Sequence, residues 1–345
     1  MTGSKLNNNW GSQDLANGIE SWNLYFPSAK VLEESHKNSQ NTSGKTHHGS
    51  FILSAENGMI DEASSEKIRS LLYEGPGIAL IHGVPVDTEE NAAKWLWKFA
   101  KKVGYPVPQS LDGVKIGRVE DLGAKFENPT HRGHKTSAAL PFHSDRSDVI
   151  ALLCVRNASQ GGCSQLASVA RIYELLKSES PEILETLENP FPYDRRGEES
   201  EGERAWTELP IFAQRDGKVL ARYIRRFIES SQRHDDAPRL SLAQIKAMNV
   251  LDEILKRPEV VYEMELQEGQ LQLIENHTIM HARTEFSGGE RLLLRLWLST
   301  SSSPELPGSF APIYGSTTAG TVRGGLWPSH VEYIVGSPVS AIMEQ

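Results

Sequence analysis

Apolar residues recur at helical spacing in four stretches of the chain, at residues 66–72, 91–103, 169–176 and 241–255. In each stretch the apolar side chains stand three or four positions apart, so they fall on one face of a helix. The sequence therefore predicts four amphipathic helices, two in the first third of the chain and two in its middle.

Shorter runs of apolar and β-branched residues are typical of strands that are buried on one or both faces. These runs lie at residues 78–81, 149–155, 260–264, 270–274 and 292–298. Two further runs flank Asp216-Gly217, a dipeptide that is typical of the tight turn of a β-hairpin. Strands are therefore expected to dominate the centre and the C-terminal half of the chain.

The order of these elements favours one class of fold. Strands and crossover helices do not alternate strictly, which argues against a doubly wound parallel sheet. We expect a mainly β protein with helical additions (α+β), an antiparallel jelly roll of the double-stranded β-helix type. The predicted organisation is a polar, partly flexible N-terminal segment (1–50), one jelly-roll domain (51–300) with a helical insert around 169–255, and a C-terminal extension (301–345) that wraps the domain.

Composition and charge narrow the range of partners. Hydrophobic residues make up 38% of the 345 residues and charged residues 23%, which is typical of a folded globular chain. The net charge of −9 provides no basic field for nucleic acid or for an anionic membrane. Because no apolar run is long enough for a membrane span or a secretory signal, we expect a cytoplasmic protein, with its oligomeric state left open.

Three His-x-acid sequences are candidates for metal binding, because side chains at i and i+2 of a strand point to the same side. They are His143-Ser144-Asp145, His234-Asp235-Asp236 and His330-Val331-Glu332. The second is more simply interpreted as a solvated loop, and the third lies in a Gly- and Ser-rich tail with no histidine after it. His143 instead precedes a predicted strand. It is the best candidate for a non-haem iron site, which needs two imidazoles and one carboxylate.

A third ligand can come from His277 or His281, which stand four positions apart. Arg291 and Arg295 follow within a β-type run, again at i and i+4, so both can point into the same barrel. A buried guanidinium needs an anion, which either a dicarboxylate cosubstrate or local acidic side chains can supply.

Together these motifs resemble the TauD/TfdA family of Fe(II)- and 2-oxoglutarate-dependent dioxygenases, and the C-terminal motif is also similar to that of clavaminate synthase. The resemblance covers residues 130–300, in the family's order and spacing. It is carried by Leu140-Pro141-Phe142-His143-Ser144-Asp145, by Gly161-Gly162-Cys163-Ser164, and by His281-Ala282-Arg283-Thr284-Glu285-Phe286 followed by Arg291-x-x-x-Arg295.

The resemblance implies that His143, Asp145 and His281 are the iron ligands. Related halogenases lack the acidic ligand, so the presence of Asp145 indicates oxygen transfer or another outcome of hydrogen abstraction. The implied reaction releases succinate and CO2 from 2-oxoglutarate and oxidises a small organic substrate with dioxygen. Hydroxylation is the base case, and desaturation, epoxidation or ring closure would use the same ligands.

The resemblance also implies the residues that bind 2-oxoglutarate. Arg291 would pair with the distal carboxylate of the cosubstrate, and Arg295 would face the active site near cosubstrate or substrate. Ser164 stands where the family usually has threonine in Gly-Gly-x-Thr, and its hydroxyl would also contact the cosubstrate.

Two other functions remain possible at this point. A non-catalytic jelly-roll protein that binds a small molecule would have no need for the complete ligand and arginine set. A zinc hydrolase with two His ligands and one carboxylate would leave Arg291 and Arg295 unexplained.

The sequence gives weaker indications of the residues that contact the substrate. Arg196, Tyr223 and Arg225 lie in donor-rich segments that suit an anionic or amino-acid-like substrate, although such runs are also typical of a solvated strand edge. Asp148 and Asn276 lie near the ligand motifs and are candidates to support the metal-bound imidazoles. The glycine-containing, charged segment at 118–138 is expected to act as a mobile lid.

Overall fold

The computed structural model describes residues 6–26, 51–53, 55–56, 59–122, 136–199, 202–328, 331 and 334–343. Residues 27–50 of the predicted, partly flexible N-terminal segment lie outside this part of the chain, and so do His330 and Glu332. Most of the predicted lid, residues 123–135, also lies outside the described residues.

The helices cluster in the N-terminal third and in the middle of the chain. They are α1 Ser12–Asn17, α2 Ile19–Trp22, α3 Glu62–Tyr73, α4 Glu89–Val103, α5 Val169–Glu179, α6 Pro181–Leu187, α7 Arg225–Ser230, α8 Leu242–Ile254, α9 Ala311–Tyr314 and α10 Val339–Met343. Short 3-10 helices cover Ser231–Arg233 and Gly308–Phe310. The four helices expected from apolar spacing are α3, α4, α5 and α8.

Twenty strands lie in the described part of the chain. They are β1 Asn23–Tyr25, β2 Phe51–Ile52, β3 Ala55–Glu56, β4 Met59–Ile60, β5 Ile78–His82, β6 Tyr105–Val107, β7 Ile116–Val119, β8 Leu140–His143, β9 Val149–Arg156, β10 Gln160–Gly161, β11 Ser164–Ser168, β12 Pro190–Asp194, β13 Trp206–Pro210, β14 Phe212–Arg215, β15 Lys218–Ala221, β16 Val261–Met264, β17 Leu271–Glu275, β18 Ile279–Arg283, β19 Phe286–Ser287 and β20 Leu292–Ser299.

Local sequence signals explain where several elements begin and turn. Helix α8 begins with a capping box, in which Ser241 Oγ accepts from the Gln244 backbone N–H and Gln244 Oε1 accepts from the Ser241 backbone N–H. The hairpin β14–β15 turns at Asp216 and Gly217, which adopt φ values of 49° and 74°. A tight hairpin requires these positive φ angles, so the predicted Asp-Gly turn is confirmed.

Two sheets face each other around the centre of the molecule. The larger sheet has the order β2-β1-β5-β17-β9-β20-β6, and β7 also pairs with β20. The smaller sheet has the order β16-β11-β18-β8, with antiparallel pairing throughout. This arrangement confirms the predicted double-stranded β-helix with helical additions.

The insert between β11 and β16 has its own apolar core. It contains helices α5 to α8, the predicted hairpin β14–β15, and the antiparallel pair β12–β13, which was not expected from the sequence. Leu176, Phe191, Phe212 and Met248 are fully buried within it. The insert therefore forms a second packed layer against the smaller sheet.

The N-terminal residues 6–26 pack more closely than their polar composition suggests. Trp10, Leu15, Trp22 and Leu24 have no exposed surface, and β1 runs parallel to β5 in the larger sheet. These few apolar side chains are widely spaced, so the mean polarity of the segment does not reveal that it is packed. The boundary expected near residue 50 therefore does not separate residues 6–26 from the packed body.

The C-terminal extension reaches into the interior. Phe310 and Tyr314 join the core of the insert, and Arg323 is fully buried. Its Nε donates to Asp148 Oδ1 at 2.6 Å, and Nη2 donates to the Pro304 carbonyl at 2.8 Å. The extension is thus tied to the segment between β8 and β9.

Helices long and apolar enough to cross a bilayer are absent from the described ranges.

Candidate active site

His143, Asp145 and His281 come together between the two sheets. One possible ligand atom from each residue lies within 4.8 Å of those of the other two. Asp145 Oδ1 is 3.9 Å from His143 Nε2, and Asp145 Oδ2 is 3.9 Å from His281 Nε2. Each of these side chains is about nine-tenths buried, with 11%, 10% and 10% of its surface exposed.

Strand pairing positions the two imidazoles. His143 is the last residue of β8 and lies directly opposite His281 of β18 in the register of the smaller sheet. The ring centroids are 4.2 Å apart, and Asp145 follows in the loop that leaves β8. The predicted pairing of His143-x-Asp145 with the distant His281, rather than with His277, is therefore met in the fold.

Both imidazoles favour the neutral form that binds metals. His143 Nδ1 lies 2.8 Å from the Pro141 carbonyl, so this nitrogen is the donor and Nε2 keeps its lone pair for an ion. Burial lowers the pKa of His143, and burial together with the neighbouring His143 lowers the pKa of His281 to about 3.

Asp145 is held as a carboxylate by residues of β20. Arg295 Nη1 and Trp297 Nε1 donate to its Oδ2 at 3.2 and 2.9 Å. Burial alone would raise the pKa of Asp145, but the charge of Arg295 and the hydrogen bond from Trp297 outweigh it and hold the pKa well below its usual range. Gln109 Oε1 in turn accepts from Arg295 Nε at 2.7 Å.

Asn276 and Tyr314 fix the backbone of the same loop. The Asn276 side chain accepts from the Asp145 N–H at 2.7 Å and donates to the carbonyls of Asp145 and Ser147 at 2.8 and 2.7 Å. The Tyr314 hydroxyl also donates to the Asp145 carbonyl, at 3.1 Å. Asn276 thus supports the loop, whereas Asp148, the other expected supporting residue, contacts His277 and Arg323 rather than a ligand imidazole.

The donor set fits a divalent iron. Two neutral imidazole nitrogens and one carboxylate are the ligand set of non-haem iron sites, and their atoms lie close enough together to share one ion. His143 and Asp145 also line a cavity, so the cluster is open to a cosubstrate and a substrate from that side.

Arg291 is buried close to the Gly161-Gly162 motif with part of its guanidinium unpaired. Its Nη2 lies 3.3 Å from the Gly162 carbonyl, whereas its Nε and Nη1 have no hydrogen-bond partner in the described part of the chain. Burial lowers its pKa. A Cβ atom on Gly162 would lie 2.8 Å from Arg291 Nε, and φ at this glycine is +73°. The glycine therefore leaves the space in which the guanidinium lies.

Ser164 lies at the start of β11 and donates through Oγ to Gln272 Oε1 at 3.1 Å. Gln272 belongs to β17 of the opposite sheet, is 1% exposed, and has its Nε2 without a partner among the described residues. The hydroxyl and this amide therefore present polar groups between the sheets. Gln272 was not expected from the sequence, because a glutamine within a strand carries no distinctive pattern.

Arg283, two residues after His281, is a second arginine with unmet donors. Its Nη2 donates to the carbonyls of Thr136 and Ala138, but Nε and Nη1 are buried without a partner in the described chain. Phe286 lies between Arg283 and Arg291, with its ring centroid 4.7 and 4.8 Å from the two guanidinium carbons. No carboxylate is among their described hydrogen-bond partners.

A cavity of about 950 Å³ opens beside the metal cluster. Its wall combines residues of the ligand loop, of the insert and of β20. Arginine is prominent in this wall, at positions 146, 195, 196, 222, 225, 226, 283 and 295. The same wall also carries carboxylates, at positions 145, 194, 198, 229, 252 and 285. The cavity is therefore large enough for a small organic molecule and is lined by charged groups of both signs.

The residues predicted to contact substrate have different surroundings. Arg196 and Arg225 line the cavity, and Arg225 donates to Asp252 and Glu229, both at 2.7 Å. Tyr223 is 1% exposed, donates its hydroxyl to Asp252 at 2.7 Å, and is not among the described residues of the cavity wall. Its backbone pairs with Ser144 instead, which docks the insert on the ligand loop.

The other candidate metal ligands lie elsewhere. His234 Nε2 is 3.0 Å from Asp194 Oδ1, and His277 Nε2 is 3.1 Å from Asp148 Oδ1 in a fully buried pair. Within the described ranges, His143, Asp145 and His281 are the group of at least three His, Cys, Asp or Glu residues close enough to share an ion.

Comparison with protein families decides the family of this chain. The family described as "Taurine catabolism dioxygenase TauD, TfdA family" matches residues 43–297, and this range contains His143, Asp145 and His281. The chain belongs to this family. The predicted resemblance is confirmed, and so is the expected enzyme class, an Fe(II)- and 2-oxoglutarate-dependent oxygenase that acts on a small substrate.

Individual members of the family show similarity of different extent. FR-33289 synthase of Streptomyces rubellomurinus (strain ATCC 31215) is 31% identical over 251 residues, which cover 70% of this chain and 74% of the synthase. The taurine hydroxylase-like protein SAT17 of Stachybotrys chartarum (strain CBS 109288 / IBT 7711) is 30% identical over 187 residues, which cover 52% of this chain and 47% of SAT17.

Solved structures share the fold of this dioxygenase. The non-heme iron oxygenase OrfP in complex with Fe and alpha-ketoglutaric acid superposes with a TM-score of 0.55 at 15% identity, covering 80% of this chain and 94% of OrfP. An asparagine oxygenase in complex with Fe(II), 2S,3S-3-hydroxyasparagine and succinate gives a TM-score of 0.54 at 17% identity, covering 80% and 93%. Neither the family nor these folds support the alternative of a non-catalytic binding protein.

Proposed function

We propose that His143, Asp145 and His281 hold Fe(II), and that Arg291 and Ser164 bind 2-oxoglutarate during the oxidation of a small organic substrate. In the base case, a substrate C–H bond, dioxygen and 2-oxoglutarate give the alcohol, succinate and CO2. The bound iron supplies the redox chemistry with dioxygen. The protein supplies ligand geometry, cosubstrate binding and a cavity for the substrate.

One observation carries this proposal more than any other. The buried Arg291 guanidinium, with Nε and Nη1 unpaired, lies in the same barrel as a metal-binding cluster that opens to a cavity. A buried charge without an acceptor is unfavourable, so an anionic partner is expected, and the distal carboxylate of 2-oxoglutarate has the matching charge and planar shape. A zinc hydrolase would have no use for this arginine.

Ser164 and Gln272 are proposed to act beside Arg291. The Ser164 hydroxyl can donate to a carboxylate oxygen, and the unpaired Gln272 Nε2 offers a second neutral donor. Arg295 and Trp297 are proposed to position Asp145, since both donate to its Oδ2 and leave Oδ1 facing the ligand cluster. The expected role of Arg295 next to cosubstrate or substrate is compatible with its place in the cavity wall.

Uncoupled turnover tests the function without knowledge of the substrate. We expect purified wild-type protein with Fe(II), 2-oxoglutarate and dioxygen to release succinate slowly, and release to rise when a correct substrate is added. Asp145→Ala should remove iron-dependent succinate release. Asp236→Ala, which removes the acid of the rejected His234-x-Asp236 sequence, should leave that release unchanged. Wild-type protein that binds no iron and releases no succinate with any of a broad set of small acids and amines would contradict the proposal.

A further inference from the structure

Phe286 contacts two buried arginines that have donors without a partner in the described chain. The centre of its ring lies 4.7 Å from the guanidinium carbon of Arg283 and 4.8 Å from that of Arg291. The phenylalanine itself is 9% exposed. A guanidinium over the face of an aromatic ring is attracted by the ring electrons, and this attraction is strongest where water is excluded.

The backbone on both sides of Phe286 fixes the position of the ring. The Phe286 N–H donates to the Ser137 carbonyl at 3.0 Å, and Phe286 pairs with Gly161 where β19 meets β10. The neighbouring Arg283 guanidinium is also anchored, because its Nη2 donates to two backbone carbonyls at 2.6 and 2.5 Å. The ring is therefore part of a rigid surface.

Arg291, in contrast, has one long hydrogen bond to hold its guanidinium. Its Nη2 lies 3.3 Å from the Gly162 carbonyl, whereas its Nε and Nη1 have no partner among the described residues. A Cβ atom on Gly162 would lie 2.8 Å from Arg291 Nε and 3.3 Å from Phe286 Cβ, so both side chains pack against this glycine. One bond of this length leaves a guanidinium free to rotate about it, and packing against the ring then sets its direction.

We propose that Phe286 is a positioning residue, whose ring holds the Arg291 guanidinium in the direction required for the distal carboxylate of 2-oxoglutarate. An aromatic face attracts the cation without accepting a conventional hydrogen bond, so the N–H groups of Arg291 stay available to the anion. An acidic side chain at the same place would pair with Arg291 and compete with the cosubstrate. This inference rests on the proposed function, since it takes Arg291 as the residue that binds 2-oxoglutarate.

Two 2-oxo acids separate the positioning of Arg291 from a general loss of structure. 2-Oxobutyrate has the oxo acid group of 2-oxoglutarate but lacks the distal carboxylate, so its binding does not need Arg291. Anaerobic calorimetric titration of the Fe(II)-loaded protein with each acid measures the preference. Wild-type protein should bind 2-oxoglutarate about 30-fold or more tightly than 2-oxobutyrate.

Replacing the ring should reduce this preference. Phe286→Leu is expected to weaken 2-oxoglutarate about tenfold and 2-oxobutyrate less than about threefold. Phe286→Met fills more of the space without a ring and should give the same result, which keeps the test open if the leucine variant does not fold. Phe212→Leu is the matched control, because Phe212 is fully buried in the core of the insert, and it should leave both affinities unchanged.

Unchanged 2-oxoglutarate affinity in the Phe286 variants would overturn the inference, and so would equal losses for the two acids. A crystal structure of metal-free Phe286→Leu protein adds a result that does not depend on iron or cosubstrate. The Arg291 guanidinium should leave its place beside the Gly162 carbonyl, and an unmoved guanidinium would overturn the inference. Wild-type protein without a preference for 2-oxoglutarate would instead contradict the proposed function, while a displaced guanidinium in the variant would still support Phe286 as the residue that positions Arg291.

Discussion

Two buried arginines in this dioxygenase, Arg323 and Arg291, have opposite surroundings. Arg323 is fully buried and each of its guanidinium nitrogens donates, Nε to Asp148 and the other two to carbonyls of the C-terminal extension. Asp148 is buried equally and also accepts from His277 and from the Thr300 N–H. Arg291, by contrast, has two buried nitrogens without a partner in the described chain.

This difference indicates that Arg323 stabilises the fold, whereas Arg291 has donors available for a ligand. A buried ion pair with every hydrogen bond made ties its elements together, whereas an unpaired buried charge lowers stability until a partner binds. Arg323 therefore joins the C-terminal extension to the loop that leads from Asp145 into β9. Arg291 is expected to stabilise the protein only when 2-oxoglutarate is bound and pairs with its guanidinium.

Replacing Arg323 should cause the largest loss of stability. Arg323→Met leaves the Asp148 carboxylate buried with only its weaker partners, which typically costs about 3–5 kcal/mol of unfolding free energy. Urea denaturation of metal-free protein measures this loss. Arg257→Met is the control, because the exposed Arg257–Glu179 pair is worth less than about 1 kcal/mol. Equal effects of the two substitutions would break the distinction between the two classes of arginine.

Replacing Arg291 should affect the binding of 2-oxoglutarate rather than the stability of the protein. Arg291→Met is expected to leave the stability of the protein without 2-oxoglutarate unchanged or slightly raised, because it removes an unpaired buried charge. The affinity for 2-oxoglutarate should fall by about 2–5 kcal/mol, or roughly 30-fold to several thousand-fold. Calorimetric titration with 2-oxoglutarate checks this, with Arg156→Met as a control at the same end of the sheet. A larger loss for Arg295→Met would reverse the proposed roles of the two arginines.

Gly162 offers a way to disturb Arg291 without removing it. Gly162→Ala places a Cβ atom 2.8 Å from Arg291 Nε and strains a residue at φ +73°. We expect the affinity for 2-oxoglutarate to fall about tenfold, since displacing the guanidinium loses part of a charged hydrogen bond. Gly217→Ala introduces comparable backbone strain in an exposed hairpin with open space around it, so it should leave that affinity unaltered. Matching losses in both variants would point to general destabilisation.

Ser164 should give the smallest effect. Ser164→Ala removes one neutral donor, which is typically worth about 0.5–1.5 kcal/mol, so 2-oxoglutarate should bind roughly two- to tenfold more weakly. Ser164→Thr keeps the hydroxyl and should retain most of the affinity. If the alanine variant binds as tightly as wild type, the Ser164 hydroxyl does not contact the cosubstrate.

The strongest sequence motifs predicted the main elements of the fold and the three residues that the fold brings together as a candidate metal site. His143, Asp145 and His281 were predictable because a strand places i and i+2 on one side and the partner histidine belongs to a specific motif. Trp297 was accessible in principle, since it stands two residues after Arg295 and shares its face of β20. Because side chains alternate along a strand, the position of Arg295 predicts that Trp297 lies on the same side of β20.

Other parts of the site had no such signal. Gln109 and Tyr314 reach the cluster from positions far along the chain, and nothing local in the sequence distinguishes them from other polar or aromatic residues. The burial of Trp10 and Trp22 within a polar segment was missed for a similar reason, because a few widely spaced anchors decide it. Contacts of this kind depend on the tertiary fold rather than on local pattern.

Anaerobic titration of Fe(II) in the presence of 2-oxoglutarate tests the central claim most directly. Wild-type protein should bind one iron per chain and develop a visible charge-transfer band. His281→Ala should lose both, whereas His277→Gln, which keeps a donor for Asp148 away from the cluster, should retain them. An unchanged band and unchanged iron affinity in His281→Ala would contradict the assignment of His143, Asp145 and His281 as the metal centre.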